Sequence, residues 1–290
     1  MSTLRTATLT AATLACFAAN SLLCRAALRP GLVDPATFTA VRLASGAGML
    51  ALILAVRRSR PEGGSVASGL VLFLYAAAFS LAYVRIGAGV GALLLFATVQ
   101  VTMVGLTVLR GTRPHLLQVV GIFIALAGLS WLVLPGASAP DPQGAALMAV
   151  SGAAWGVYSL RARSARDAIG ANAHSFLVAT PLAALFALAH AGHVSPTETG
   201  IGLAIISGAV TSALSYSIWY TVVPALGGTR AAAVQLAVPV LAGAGATVFL
   251  GEPLTPRIAA SGAAILTGIA LTMRTSANQI PRAASTPKTT

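Results

Sequence analysis

Ten long apolar stretches, separated by short turns and nearly bare of charge, constrain this chain more than any other feature. They run at roughly 6–28, 35–57, 66–86, 88–109, 115–135, 143–162, 171–192, 198–221, 229–250 and 256–274. A bilayer core of about 30 Å needs about 20 apolar residues in a helix. Backbone groups in lipid are satisfied only in helices or closed barrels. The runs are continuous and rich in Ala, Leu and Val, without strand-like alternation, so helices are expected. Only 8% of the 290 residues are charged, against about 25% in a soluble domain. Most of the surface must therefore face lipid.

The breaks carry turn chemistry: Arg29-Pro30-Gly31, Arg60-Pro61-Glu62-Gly63-Gly64, Arg113-Pro114, Pro140-Asp141-Pro142, Ser195-Pro196 and Gly251-Glu252-Pro253. The net charge is +12. A basic balance can mark nucleic-acid binding, but here the arginines fall in the gaps between apolar runs, so no nucleic-acid partner is expected. With the N-terminus in the cytoplasm, twelve basic residues lie inside (Arg5, Arg57, Arg58, Arg60, Arg110, Arg113, Arg161, Arg163, Arg166, Arg274, Arg282 and Lys288). Four lie outside: Arg25, Arg29, Arg85 and Arg257. That bias predicts an even number of spans and both termini in the cytoplasm, in a multi-pass protein of the cell (inner) membrane. Were the spans eight, 35–57 and 171–192 would be the weakest. Met1 to Asn20 resembles a signal peptide, but its apolar run continues to Leu28 and is read as an uncleaved first span. Cys16 and Cys24 share that run, where one helix cannot bring them together, so they are read as small buried apolar residues.

Two stretches look like copies. Ser215 to Thr255 has an aromatic cluster (Tyr216, Trp219, Tyr220), a small-residue turn, Gln235, a mid-run Pro239 and a Gly251-Glu252-Pro253 exit turn. Ala82 to Pro114 has Tyr83, glycines 87, 89 and 91, Gln100 and a Gly-Thr-Arg-Pro exit. The runs that follow also correspond. The first exit turn falls after span four and the second after span nine, on opposite faces. An odd-numbered unit repeated in tandem must be inverted in the membrane, as in many secondary transporters, whose site lies between repeats near the midplane. The expected fold is an all-α integral membrane protein of ten transmembrane helices, as two inverted five-helix repeats over 1–137 and 138–274. A disordered cytoplasmic tail is expected at 275–290.

Several segments resemble the drug/metabolite transporter superfamily in its ten-helix EamA-like branch: FAANSLLCRAAL (17–28), FTAVRL (38–43), GALLLFATVQ (91–100), AAWGVYSLRAR (153–163), VQLAVPVLAG (234–243) and LGEPLT (250–255). The proline within a helix followed by a Gly-Glu turn is most like that family's repeat signature. In the first half, Val99-Gln100 stands where a proline would be expected, and Thr112 where the turn glutamate would be. The resemblance implies a secondary transporter, an exporter of amino acids or related metabolites.

Candidate binding residues are the polar and aromatic groups that the apolar runs carry. Arg42, in span two, reads either as a cation for an anionic substrate or as a snorkelling or carbonyl-paired structural group. Arg25 and Arg230 lie near span ends and read as snorkelling. Asn20, Gln100 and Gln235 are amides that need partners; substrate contact and interhelical hydrogen bonding are both open, and Gln100 and Gln235 are expected at similar depths. Trp155 with Tyr158, and Tyr216 with Trp219 and Tyr220, share helix faces and could wall a cavity or form an interfacial belt. Tyr83 joins them by its place in the repeat. Pro239 and Pro181 would each kink a span and release a carbonyl, beside a cavity or as packing. Patterns such as Gly121–Ala125–Gly128 and Gly262–Gly268 read as close helix packing.

No span contains Asp or Glu. Export of cations on a membrane-embedded carboxylate, as in the small multidrug resistance proteins, is therefore not expected. An embedded arginine without an embedded carboxylate tilts the expectation toward substrates that carry a carboxylate. The partners expected are a small-molecule solute, the lipid bilayer and a coupling proton or ion gradient. No cofactor and no metal site is read from the sequence, and no catalytic cluster. The alternative is a membrane-embedded enzyme or sensor without transport activity.

Overall fold

The computed structural model describes residues 3–109, 111, 115–134, 136, 139–162, 167–190, 195–226 and 234–276. The helices among them are α1 (Thr3–Leu28), α2 (Pro35–Val56), α3 (Val66–Arg85), α4 (Ala88–Leu109), α5 (Leu116–Val133), α6 (Pro142–Ala162) and α7 (Ala168–Ala189). Then come α8, continuous over 198–226, α9 (Ala237–Leu250) and α10 (Pro256–Ser276). No strand occurs among the described residues. Arg230 and most of the expected tail lie outside them.

Seven of these helices are long and apolar enough to cross a membrane, and α9 and most of α10 form shorter apolar helices. The exception is α6. At 21 residues it is about 31 Å long, enough to span, but it carries Ser151, Trp155, Tyr158 and Arg161. It packs against α3 and α4, where those polar and aromatic groups meet protein. Spans two and seven, the weakest by sequence, are both helices, and they pack on each other.

The packing shows the inverted repeat. α2 packs on α7, α4 on α9 and α5 on α10. α1 packs on α8 and α9, while α6 packs on α3 and α4; α2 meets α8 where α7 meets α3. Exchanging each helix with the one five places along returns each of these pairings. The protein is thus an all-α bundle of ten helices built as two inverted five-helix repeats.

Small residues let these pairs close. A Cβ on Gly121 would strike the Gly268 carbonyl, and one on Gly128 would come within 3.0 Å of the Ser261 carbonyl. The α5–α10 seam is therefore backbone against backbone, the geometry expected of small-residue patterns in lipid. Cys16 and Cys24 are free thiols.

Acidic residues are spent on helix starts. Asp34 accepts from the amides of Ala36 and Thr37, Asp141 from Gly144 and Asp167 from Ile169. Glu252 accepts from Ala88, the first residue of α4, across 164 positions of sequence. Glu198 lies in the first turn of α8. Helix N-termini present unpaired amides and a partial positive charge, which carboxylates complement. Of the six acids in the chain, five are used this way, and none enters the middle of a helix.

Candidate functional site

Arg42 is the centre of the interior. It lies on the second turn of α2, yet only 1% of its surface is exposed, because α3 and α8 close over it. A charged arginine in mid-membrane costs about 2.5–3.5 kcal/mol on insertion scales. Part of that is offset by hydrogen bonds: Nη2 donates to the Tyr75 hydroxyl at 3.1 Å and to Ser212 Oγ at 3.3 Å, and Nε donates to Ser212 Oγ at 3.4 Å. The guanidinium also lies over two rings, 5.3 Å from the Tyr75 centroid and 5.0 Å from that of Phe79. Such contacts contribute about 2 kcal/mol when desolvated. The snorkelling reading of Arg42 is overturned, since a snorkelling head would reach the interface.

What Arg42 lacks is a counter-charge. Among the described residues, the ion pairs are Arg25–Glu252 and Arg85–Asp141, and neither reaches it. Its Nη1 is buried without a hydrogen-bond partner. A buried donor in that state costs about 1–3 kcal/mol, more when charged.

An aromatic wall surrounds the guanidinium. Tyr75 packs on Trp155 of α6 at 4.8 Å between centroids, and Trp155 packs on Tyr216 of α8 at 5.1 Å and on Tyr158 at 5.6 Å. Phe17 of α1 stands edge-on to Tyr216 and Trp219. The Tyr158 hydroxyl donates to Asn172 Oδ1 of α7 at 2.6 Å, which leaves the Asn172 Nδ2 group buried without a partner. Two polar donors with unused capacity, Arg42 Nη1 and Asn172 Nδ2, are thus joined to one ring system centred on Trp155.

The local fold of α8 brings Ser212 to this place. Residues Ala209–Leu214 form a π-helical segment between Glu198–Gly208 and Ser215–Leu226. A π segment inserts one residue into the turn and re-aims the side chains after it; such segments recur at functional sites. Two of its carbonyls, those of Thr211 and Ser212, accept from the Ser215 hydroxyl, and Thr211 donates back to the Ser207 carbonyl in the preceding turn. Gly208 lets α8 approach, because a Cβ there would collide with the Arg42 carbonyl.

The other sequence candidates divide. Asn20 faces α8, where its Oδ1 accepts from Ser207 Oγ at 2.7 Å and Thr211 Oγ1 at 3.1 Å; it joins helices. Tyr83 is fully buried one turn beyond Phe79, edge-on to that ring at 4.6 Å, and its ring fills the space left by Gly91. Trp219 reaches the cluster through Phe17. Gln100 lies half-buried midway along α4, whereas Gln235 lies just ahead of α9. Pro239 is not mid-helix: it is buried in the first turn of α9, after a turn at Leu236. Having no N–H to return to the Gln235 carbonyl, it ends one helical stretch and opens the next. Pro181 is inside α7 but exposed on its outer surface, so it lines no cavity. The side chain of Tyr220 lies outside the described residues.

Arg25 is also corrected. It does not snorkel: it is 9% exposed, Nε pairs with Glu252 Oε1 at 2.9 Å, and Nη1 donates to the carbonyls of Tyr83 and Val84.

Sequence reasoning missed Tyr75, Phe79, Ser212, Asn172 and Phe17. A signal existed for two of them. Tyr75, Phe79 and Tyr83 recur at every fourth position and so lie on one face of α3.

The EamA-like transporter family profile matches residues 143–274. An uncharacterized protein of Pseudomonas aeruginosa is 48% identical over 255 residues, 87% of this chain and 89% of that protein. A protein crystal structure superposes with a TM-score of 0.67 at 19% identity, over 96% of this chain and all of that one; at that identity the likeness is one of fold.

Proposed function

Because this chain belongs to the EamA-like transporter family, we propose that it is a secondary transporter of small organic solutes bearing a carboxylate, working by alternating access in the direction of export. The family makes it a membrane transporter of small molecules. The finer reading is carried by one observation: Arg42, a buried cation in the middle of the bundle with no carboxylate partner and with Nη1 unbonded. A solute carboxylate would supply the missing charge and accept from Nη1, and charge-assisted bonds of that kind are about twice as strong as neutral ones. Trp155, Tyr158 and Tyr216 would cover its apolar part. Tyr83 and Trp219 back that wall, and Asn20 holds α1 to α8 beside it. Gln100, Gln235 and Pro239 take no assigned part.

The helix pairs that exchange between repeats support the alternating-access part. In an inverted repeat, each arrangement open to one face has a counterpart open to the other. We place the repeat boundary near residue 137 and both termini in the cytoplasm of the inner membrane, on the strength of the arginine bias. A proton or ion gradient would drive the cycle.

The test is flux into proteoliposomes of purified protein, over a panel of carboxylates, their uncharged amides and amines of similar size. Carboxylates should move, and Arg42→Gln should abolish that movement. Equal movement of acids and amides, or flux unchanged in Arg42→Gln, overturns the reading.

A further inference from the structure

A second cationic centre lies at the end of the bundle where α1 finishes and α4 begins, the outer end by the charge bias. Arg25 there ties three elements together. Its Nε pairs with Glu252 in the α9–α10 turn, and its Nη1 donates to the last carbonyls of α3, those of Tyr83 at 2.7 Å and Val84 at 3.0 Å. Glu252 in turn caps α4 through the Ala88 amide at 2.7 Å. Nη2 of Arg25 takes part in none of these bonds, and a guanidinium has five N–H donors to place.

Against this knot lies a cavity of about 380 Å³, lined by Arg25, Arg29, Glu252, Thr247 and Thr255, with Val90, Ala246 and Ile258 on its apolar side. Two cations therefore face one amphipathic space whose anionic wall is Glu252 alone. The cavity is joined to the centre by a continuous column: Phe79 lies under the Arg42 guanidinium at 5.0 Å, Tyr83 stands on Phe79 at 4.6 Å, and the Tyr83 carbonyl is held by Arg25.

We propose that this cavity is a second anion site, in which the solute's carboxylate replaces that of Glu252 on Arg25 and so releases the α9–α10 turn from α1 and α4. This inference rests on the carboxylate reading given above. Exchange of one carboxylate for another keeps the guanidinium paired throughout, whereas opening the pair with no replacement would strand a shielded charge. The solute thus unties the end of the bundle only when it is there to leave. A neutral solute leaves Arg25 and Glu252 joined.

The experiment uses the full chain in nanodiscs of zwitterionic lipid, with Thr247→Cys as a reporter on the cavity wall and benzoate as the probe. The rate of maleimide labelling is read against the parent protein, which corrects for Cys16 and Cys24. Benzoate should slow labelling at position 247 and benzamide should not. Protection should vanish in Arg25→Gln and persist in Arg42→Gln. In Glu252→Gln, which keeps an acceptor for the Ala88 amide but removes the competing charge, the half-protecting benzoate concentration should fall about tenfold. If Arg25→Gln does not fold, the Glu252→Gln shift decides alone, and an unchanged or higher concentration overturns the proposal. Protection lost in Arg42→Gln yet kept in Arg25→Gln also overturns it, while leaving the central site standing. Protection kept in Arg42→Gln together with unaltered flux sinks the central reading and leaves the second site. Protection that appears with phosphatidylglycerol in the disc and without benzoate assigns the cavity to a lipid phosphate and overturns the proposal.

Discussion

Ser212 in α8 accepts hydrogen bonds from both Nε and Nη2 of Arg42 in α2, at 3.4 and 3.3 Å, across the middle of the bundle. One hydroxyl thus fixes the guanidinium plane from the second repeat, while Tyr75 fixes it from the first. Both bonds are long, and that weakens them. Ser212→Ala should therefore cost about 1 kcal/mol of stability, seen as a small fall in detergent melting temperature. Carboxylate KM should rise more than the maximal rate falls, because the cation is held less firmly and not removed.

Arg42 itself should separate charge from shape. Arg42→Lys keeps the charge but loses the planar fork and the stacking on two rings. It should retain measurable carboxylate flux, reduced about tenfold or more, where Arg42→Gln retains none. Transport by the lysine variant no better than by the glutamine variant would mean that charge is not what the site supplies. Counterflow in proteoliposomes makes the comparison.

Trp155 joins Tyr75, Tyr158 and Tyr216 into one wall. Trp155→Ala removes the shared ring and leaves a void, at about 3–5 kcal/mol if the site cannot collapse. Trp155→Phe should keep most of the packing. Solutes with larger apolar parts should lose more flux in Trp155→Phe than small ones do, measured over a homologous acid series.

Asn20 is expected to behave as a joint between helices. Asn20→Leu strands the Ser207 hydroxyl, which now donates to it, and leaves Thr211 with only the Ser207 carbonyl. Interhelical bonds of this kind contribute about 0.6 kcal/mol in membranes. The melting temperature should drop slightly with carboxylate KM unchanged; a selective rise in KM would place Asn20 in contact with solute instead.

Gly121 allows the α5–α10 seam to close, with its Cα side against the Gly268 backbone. Gly121→Val should destabilise by about 1–3 kcal/mol through overpacking, read as early thermal unfolding. Pro181→Ala, on the outer surface of α7, should leave both flux and melting temperature near those of the parent.

Much of the fold was legible because lipid imposes a one-dimensional rule: a span is a run of about 20 apolar residues, and each run can be seen without its neighbours. Most of the ten runs match their helices within a few residues, the ninth excepted: the run is expected from 229, and its helix starts at Ala237. The candidate site was legible in part. Arg42 and Trp155 stand out by being polar or aromatic inside an apolar run. Which of them meet depends on helix rotation, which no run reveals. Gln100 and Gln235 look equivalent in sequence, yet the first lies inside a helix and the second just ahead of one. Pro239 looks like a mid-span kink until the turn at Leu236 makes it the start of a helix.

The sequence by itself determined that the chain is a bundle of membrane helices with an inverted repeat, and that its spans hold a cation but no acid. Those are facts of composition along a line, enforced by the cost of unsatisfied backbone and charge in hydrocarbon. Only the tertiary structure decided what each charge faces. It set Glu252 on Arg25 and the start of α4, turned Ser212 onto Arg42 through a π-helical register shift, and left Arg42 among rings without a carboxylate. Partners separated by 170 and 227 positions meet only when helices from both repeats pack, and that packing is a property of the surfaces together.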